Sequence, residues 1–389
     1  MGHLSVNVTG DQALVKKINK SLVLRTIRGA SPLSRTRVSQ LTGLNKATVS
    51  NLVAELCEDK LVIEAGPGES SGGRKPLMLH FNEGAGCVIG MELRVKEVAG
   101  VLCDFGGHIL QEREAALPSH RPEEVLETLI ALGRELTGLA PATPHGLVGI
   151  GIGVPGMVDE DGLILLAPNL GWESVDLKSG LERAFGVPVT IDNEANAGAQ
   201  GELNYGEARG VRHLLYISAG SGIGSGIIIG GELYKGARGY AGETGHMTIE
   251  AQGRSCSCGN RGCWELYASE KTYDDADLPA RTTGGLTRLA AAGDAVAAGH
   301  FARIGEYLGI GITNLINSFN PELIVIGGPL SEAREWLGEP LRRVVSERTL
   351  PYHKRELTIA FSKLGSRGTM IGAGIAALLA YLGEVRVRV

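Results

Sequence analysis

From residue 12 to residue 29, apolar positions Leu14, Ile18, Leu22, Leu24 and Ile27 fall near helical spacing, with lysines and arginines on the other side. The pattern predicts an amphipathic helix closed by Gly29. The next stretch predicts a short helix from about Ser34 to Leu41, a tight turn at "TGLN", and a second helix after Asn45. Asn45 suits an N-cap, and Val49, Leu52, Val53 and Leu56 make one buried stripe. Helix, glycine turn and helix form a helix-turn-helix unit. Two apolar runs then flank a Gly/Ser tip carrying Arg74 and Lys75, so residues 1–80 read as a winged helix-turn-helix domain.

From residue 86 the pattern changes to apolar runs punctuated by glycine. "GCVIGMELRVKEVAGVLCDFGGHILQ" predicts three strands, "EEVLETLIALGRELTGL" a helix, and "VGIGIGVPGMVDEDG" a buried strand and turn. A second cycle follows at "HLLYISAGSGIGSGIIIGGELYKG", with helices through "HFARIGEYLGIGITNLINSFNP" and a buried strand at "ELIVIGG". Strand triplets followed by helices, twice, predict two α/β lobes over residues 86–389 with a cleft between them. Small ligands favour such clefts.

Charge divides the chain the same way. Residues 1–80 carry 11 Lys plus Arg against 6 Asp plus Glu, whereas the other 309 carry 27 against 37. A basic N-terminal part on an acidic body points to an anionic partner at that end. On the second helix Lys46, Thr48, Ser50 and Asn51 lie off the apolar stripe near the N-terminus, and these residue types reach phosphates and base edges in a major groove. Arg74 and Lys75 on the tip would add minor-groove or backbone contacts. No apolar run suggests a membrane span or a signal core, so a soluble, cytoplasmic protein is expected.

Six cysteines are too sparse for a disulfide scaffold, and Cys57, Cys87 and Cys103 read as small core residues. The other three cluster with a histidine. His246, Cys256, Cys258 and Cys263 make a His-x9-Cys-x-Cys-x4-Cys set of the right kind for tetrahedral Zn2+. Four protein ligands leave no open position for an activated water, so the expected zinc is structural. It would brace Glu243 and Glu265, which flank the ligands.

"GIGVPG", "NEANAGAQGE", "GETGHM" and "CSCGNRGCWELYASEK", in this order, closely resemble the ROK (repressor, open reading frame, kinase) family. "DQALVKKINKSLVL", "LTGLNKATVSNLV" and "SSGGRKP" resemble its xylose-repressor branch. The resemblance implies an actin-like or hexokinase-like two-lobed body. Kinases of the family open the first lobe with an Asp-x-Gly-Gly-Thr phosphate turn, but here that stretch is "ELRVK", Glu92 to Lys96. Where those kinases carry an Asn-Asp pair, this chain has Asn193-Glu194. No catalytic residue is therefore expected. The resemblance implies sugar contacts at Asn193, Glu194, Glu243, His246 and Glu265, with Asn169 a weaker candidate. It further implies a homodimeric repressor that binds a palindromic operator and is released by D-xylose. The alternatives are a regulator answering to glucose or another sugar, and a sugar kinase with an added DNA-binding domain.

Overall fold

The computed structural model describes residues 12–67, 77–275 and 277–383. The N-terminal pattern folds as α1 (Gln12–Ala30), β1 (Leu33–Ser34), α2 (Arg35–Thr42), α3 (Lys46–Glu58), β2 (Val62–Pro67) and β3 (Leu77–Phe81). Gly43, at φ 71°, ends α2 in the left-handed region, which only glycine enters without strain. Two residues later the Asn45 side chain accepts from the Thr48 N–H at 2.8 Å and starts α3. Val49, Leu52, Val53 and Leu56 are all buried, as the stripe requires. The three strands form a sheet in the order β1-β3-β2, with β2 and β3 antiparallel. Arg74 and Lys75 lie outside the described residues.

A short turn at Glu83–Ala85 leads into the two lobes. In the first come β4 (Cys87–Leu93), β5 (Glu97–Asp104), β6 (Ile109–Ala116), α4 (Pro122–Gly138) and β7 (Leu147–Val154). A small sheet of β8 (Met157–Val158), β9 (Ile164–Ala167) and β10 (Trp172–Val175) precedes α5 (Lys178–Phe185), β11 (Val189–Asn193) and α6 (Glu194–Tyr205). The second lobe has β12 (Leu214–Ala219), β13 (Ile223–Ile229), β14 (Glu232–Leu233), the short helices α7 (Glu265–Ala268) and α8 (Thr272–Asp275), then α9 (Thr283–Ala291) and α10 (Ala295–Phe319). It ends with β15 (Leu323–Gly327), α11 (Arg334–Arg348), β16 (Thr358–Phe361) and α12 (Gly368–Tyr381).

The two main sheets repeat one topology. Their orders are β11-β7-β4-β5-β6 and β14-β13-β12-β15-β16, each an antiparallel triplet extended by two parallel strands. The last helix of each cycle crosses to the other lobe: α6 packs on β12 and β13, and α12 packs on β4 and β7. Glycine permits this approach, because a Cβ on Gly151 of β7 would lie 1.8 Å from the Ala373 carbonyl oxygen of α12. Where α6 and α12 meet, a Cβ on Gly372 would lie 1.7 Å from the Ala197 carbonyl oxygen.

One apolar core runs from the N-terminal segment into the first lobe, joining Val23, Ile27, Leu56 and Leu79 to Val88, Val101, Phe105, Ile375 and Leu378. Cys87 and Cys103 are buried as expected, whereas Cys57 is only half-buried, because it sits at the edge of the α3 stripe.

Candidate functional site

The metal-ligand set converges. The ligand atoms of His246, Cys256, Cys258 and Cys263 all lie within 4.8 Å of one another. Cys258 Sγ is 3.7 Å from Cys263 Sγ, and Cys256 Sγ is 3.8 Å from His246 Nδ1. Sulfur ligands about 2.3 Å from a tetrahedral ion stand about 3.8 Å apart, so the residues fit a metal ion. The cysteines are free thiols. Two isolated bridges, Thr248 with Cys263 and Ser255 with Arg261, fold the segment back on itself, and Gly259 and Gly262 take positive φ at its turns.

This knot lies beside two carboxylates. His246 ends the short turn Thr244–His246, with Glu243 before it, and Glu265 starts α7 directly after Trp264. Trp264 is fully buried and donates its Nε1–H to the Tyr307 carbonyl at 2.8 Å, which anchors α7 to α10. Glu265 is 5 % exposed. Its Oε1 lies 2.7 Å from Lys271 Nζ, 3.5 Å from Cys256 Sγ and 3.8 Å from His246 Nδ1. Lys271 has no counterpart among the sugar contacts expected from the sequence, which include no lysine or arginine. It comes within reach only because α7 and the turn after it bend back.

Across the cleft, Asn193 and Glu194 stand where β11 passes into α6. Asn193 is the N-cap: its Oδ1 accepts from the Ala195 N–H at 2.8 Å, while its Nδ2 donates to the Gly156 carbonyl at 3.0 Å and to Glu194 Oε2 at 3.2 Å. It therefore ties α6 to the "GVPG" turn and orients its neighbour. Burial pushes the Glu194 carboxyl up to about 8, and the nearby Glu243 and Glu92 carboxylates add to this. A carboxyl held that high can donate as well as accept a hydrogen bond near neutral pH. Glu243 is exposed as a residue, yet burial of its carboxyl raises it as well, opposed by His246 and helped by Glu265. The structure thus brings Asn193, Glu194, Glu243, His246 and Glu265 into one neighbourhood. Asn169 is exposed, on the turn Pro168–Leu170 that follows the β9 segment packed on Gly156.

The turn Glu92 to Lys96 is closed by its own ion pairs. Arg94 Nε and Nη2 lie 2.9 and 2.7 Å from Glu92 Oε2, and Arg94 Nη1 lies 2.8 Å from Glu97 Oε1. Arg94 Nη2 also reaches the Ser366 carbonyl at 3.4 Å, and Arg367 pairs with Glu112 at 3.0 Å, both across the lobes. The second glycine run serves packing too: a Cβ on Gly226 would lie 2.4 Å from the Ala195 carbonyl oxygen.

On α3, Lys46 and Asn51 are exposed, and Thr48 and Ser50 half-buried. Thr48 and Asn51 line a groove against Gln12, Val15, Lys16 and Asn19 of α1, so the four are divided between two sides of the helix. Ala47 and Ala54 share the exposed face, without a polar signal that could have singled them out. No helix among the described residues is long and apolar enough to cross a membrane.

The family model for ROK proteins matches residues 88–380. The chain belongs to the ROK family. It is 41 % identical to the xylose repressor of Bacillus spizizenii, over 97 % of this chain and 99 % of that one. Among solved structures, a ROK family transcriptional regulator that is a homologue of the E. coli MLC protein superposes with a TM-score of 0.81 at 28 % identity, covering 95 % of this chain and 98 % of that one. A ROK family glucokinase from Streptomyces griseus, in complex with glucose and AMPPNP, superposes with a TM-score of 0.69 at 28 % identity. It covers 75 % of this ROK chain and 99 % of its own. The actin-like α/β body is therefore common to the regulator and the kinase, and the regulator's match extends over nearly the whole chain.

Proposed function

We propose that this ROK protein is a sugar-responsive transcriptional repressor of xylose-utilisation genes, and not an enzyme. Residues 1–80 act as a winged helix-turn-helix that binds operator DNA through Lys46, Thr48, Ser50, Asn51, Arg74 and Lys75. Residues 86–389 bind D-xylose at Asn193, Glu194, Glu243, His246 and Glu265, with Asn169 at the margin. A neutral Glu194 that donates, carboxylates that accept and amides that do both suit the vicinal hydroxyls of a pentose.

The observation that carries the reading is the Arg94 guanidinium, held between Glu92 and Glu97 in the turn where a kinase of this family cradles phosphate. Phosphoryl transfer depends on backbone donors and a metal positioned on the nucleotide phosphates. A side chain tied down by two carboxylates offers neither. Likeness to a named xylose repressor over nearly the whole chain supports the same conclusion.

Zn2+ is the metal that suits one imidazole and three thiolates, and bound there it serves structure. His246 would hold it through Nδ1, the ring nitrogen that faces Cys256. The same segment carries Glu243 and Glu265, so bracing it sets both carboxylates. A homodimer places two such N-terminal units at the spacing of a palindromic site. Sugar and operator then weaken each other by one common factor.

The test is binding to a duplex selected from a random pool by the full-length chain, titrated with D-xylose, D-glucose and their phosphates, with and without ATP. Release by D-xylose alone is expected. Release that requires ATP or a phosphosugar, or sugar-dependent ATP hydrolysis, would overturn the proposal.

A further inference from the structure

The helix α12 touches both ends of the molecule. At its N-terminus Thr369 is 4 % exposed, and its Oγ1 lies 3.3 Å from the Glu194 carbonyl oxygen, beside Glu92 and the Gly153 backbone. Glycines in β4 and β7 hold the helix against the first-lobe sheet with no side chain between, so it cannot slide without moving that sheet. At its C-terminus Tyr381 Oη lies 3.0 Å from His145 Nδ1. His145 Nε2 lies 2.8 Å from the Asp59 carbonyl oxygen. Asp59 is the C-cap residue of α3, and its carboxylate is held by Lys20 of α1 at 2.7 Å.

A carbonyl only accepts, so His145 donates from Nε2, and in its neutral form it accepts at Nδ1 from the Tyr381 hydroxyl. The bonds run in one direction, from α12 through His145 to the end of α3. The rings of Phe105, His145 and Tyr381 also pack together, with centroids 5.9 to 6.4 Å apart. His145 N–H donates to the Ala85 carbonyl, which seats the ring on the turn joining the N-terminal segment to the first lobe.

From this geometry we infer that His145 and Tyr381 are positioning residues through which α12 transmits the state of the carboxylate cleft to α3. The inference rests on the reading of the chain as a sugar-responsive repressor and assigns the route of the response. Neither residue touches the cleft or the exposed face of α3. A change in Thr369 or Glu194 tilts α12, and the His145 bond carries the tilt to the α3 cap.

Two measurements on the full-length protein separate this inference from the reading beneath it. The first needs neither sugar nor DNA: amide exchange over residues 56–61 in Thr369→Val, in His145→Leu, and in the double variant. Thr369→Val should speed exchange there about three- to tenfold, the range of a lost hydrogen bond, and have little further effect once His145 is Leu. Unchanged exchange at 56–61, alongside faster exchange at 194–197, would overturn the route whatever the protein does with sugar. The second is the factor by which D-xylose weakens binding to the selected duplex. Tyr381→Phe and His145→Leu should cut that factor about three- to tenfold, with sugar affinity in free protein unchanged. His145→Gln, whose amide can donate to Asp59 and accept from Tyr381, should restore much of it. A full response in His145→Leu would equally refute the route. No response in the wild-type protein would instead refute the repressor reading, leaving the exchange measurement to decide the route.

Discussion

Glu194→Gln isolates an acid whose carboxyl is pushed up by burial. The substitution keeps the size of the side chain and removes its charge. In the unfolded chain the carboxyl titrates near 4.5, and in the fold near about 8. A raised acid favours folding fully only below its unfolded value. As pH rises from 4.5 towards 8 the unfolded chain releases a proton that the folded protein keeps, so this contribution is lost. At pH 7 the loss is about 3 kcal/mol, from roughly 2.5 units at 1.36 kcal/mol each, and at pH 5 it is under about 1 kcal/mol. Glutamine has no such term. Urea unfolding of the second-lobe signal, Trp264 fluorescence in a chain lacking the other two tryptophans, would be followed in wild type and variant from pH 5 to pH 8. The variant should gain on the wild type steadily with pH, while sugar binding falls because a donor has been redrawn. A stability difference independent of pH would refute a neutral, desolvated Glu194.

Three further outcomes follow from the geometry. Cys258→Ser should lower the zinc content found by metal analysis of purified protein, and weaken sugar binding at least about tenfold in calorimetry while residues 12–67 keep their helical signal. Gly151→Ala should destabilise the first lobe by about 1–3 kcal/mol in chemical unfolding, because its Cβ would overlap the Ala373 carbonyl and push α12 off the sheet. Asn45→Ala should cost about 1 kcal/mol in stability of the N-terminal helices and weaken operator binding, with sugar affinity unaltered in a titration of free protein.

Several features are legible in the sequence because their causes are local. The Asn45 cap, the left-handed Gly43 and the α3 stripe are each written within a dozen residues, and each stands where the pattern places it. The four residues of the His/Cys cluster span only 18 residues and are joined by glycine turns, so a short segment suffices to bring them together. Asn193 is legible only in part: its cap on α6 is local, whereas its Nδ2 bond to the Gly156 carbonyl joins segments 37 residues apart.

What the sequence determined by itself was the order of elements, the His/Cys cluster, the family and the absence of an Asp-x-Gly-Gly-Thr turn at residues 92–96, since each depends on residue type at short spacing. Tertiary structure alone decided which side chains meet. Lys271 on Glu265, Arg94 folded onto Glu92, Arg367 on Glu112 from 255 residues away, and His145 between Asp59 and Tyr381 are set by which surfaces are buried together. The apolar run of α12 reads as any buried helix. Its place between the cleft and α3 arises because glycines in strands far earlier in the chain leave room for its backbone, a steric fit that no local periodicity encodes.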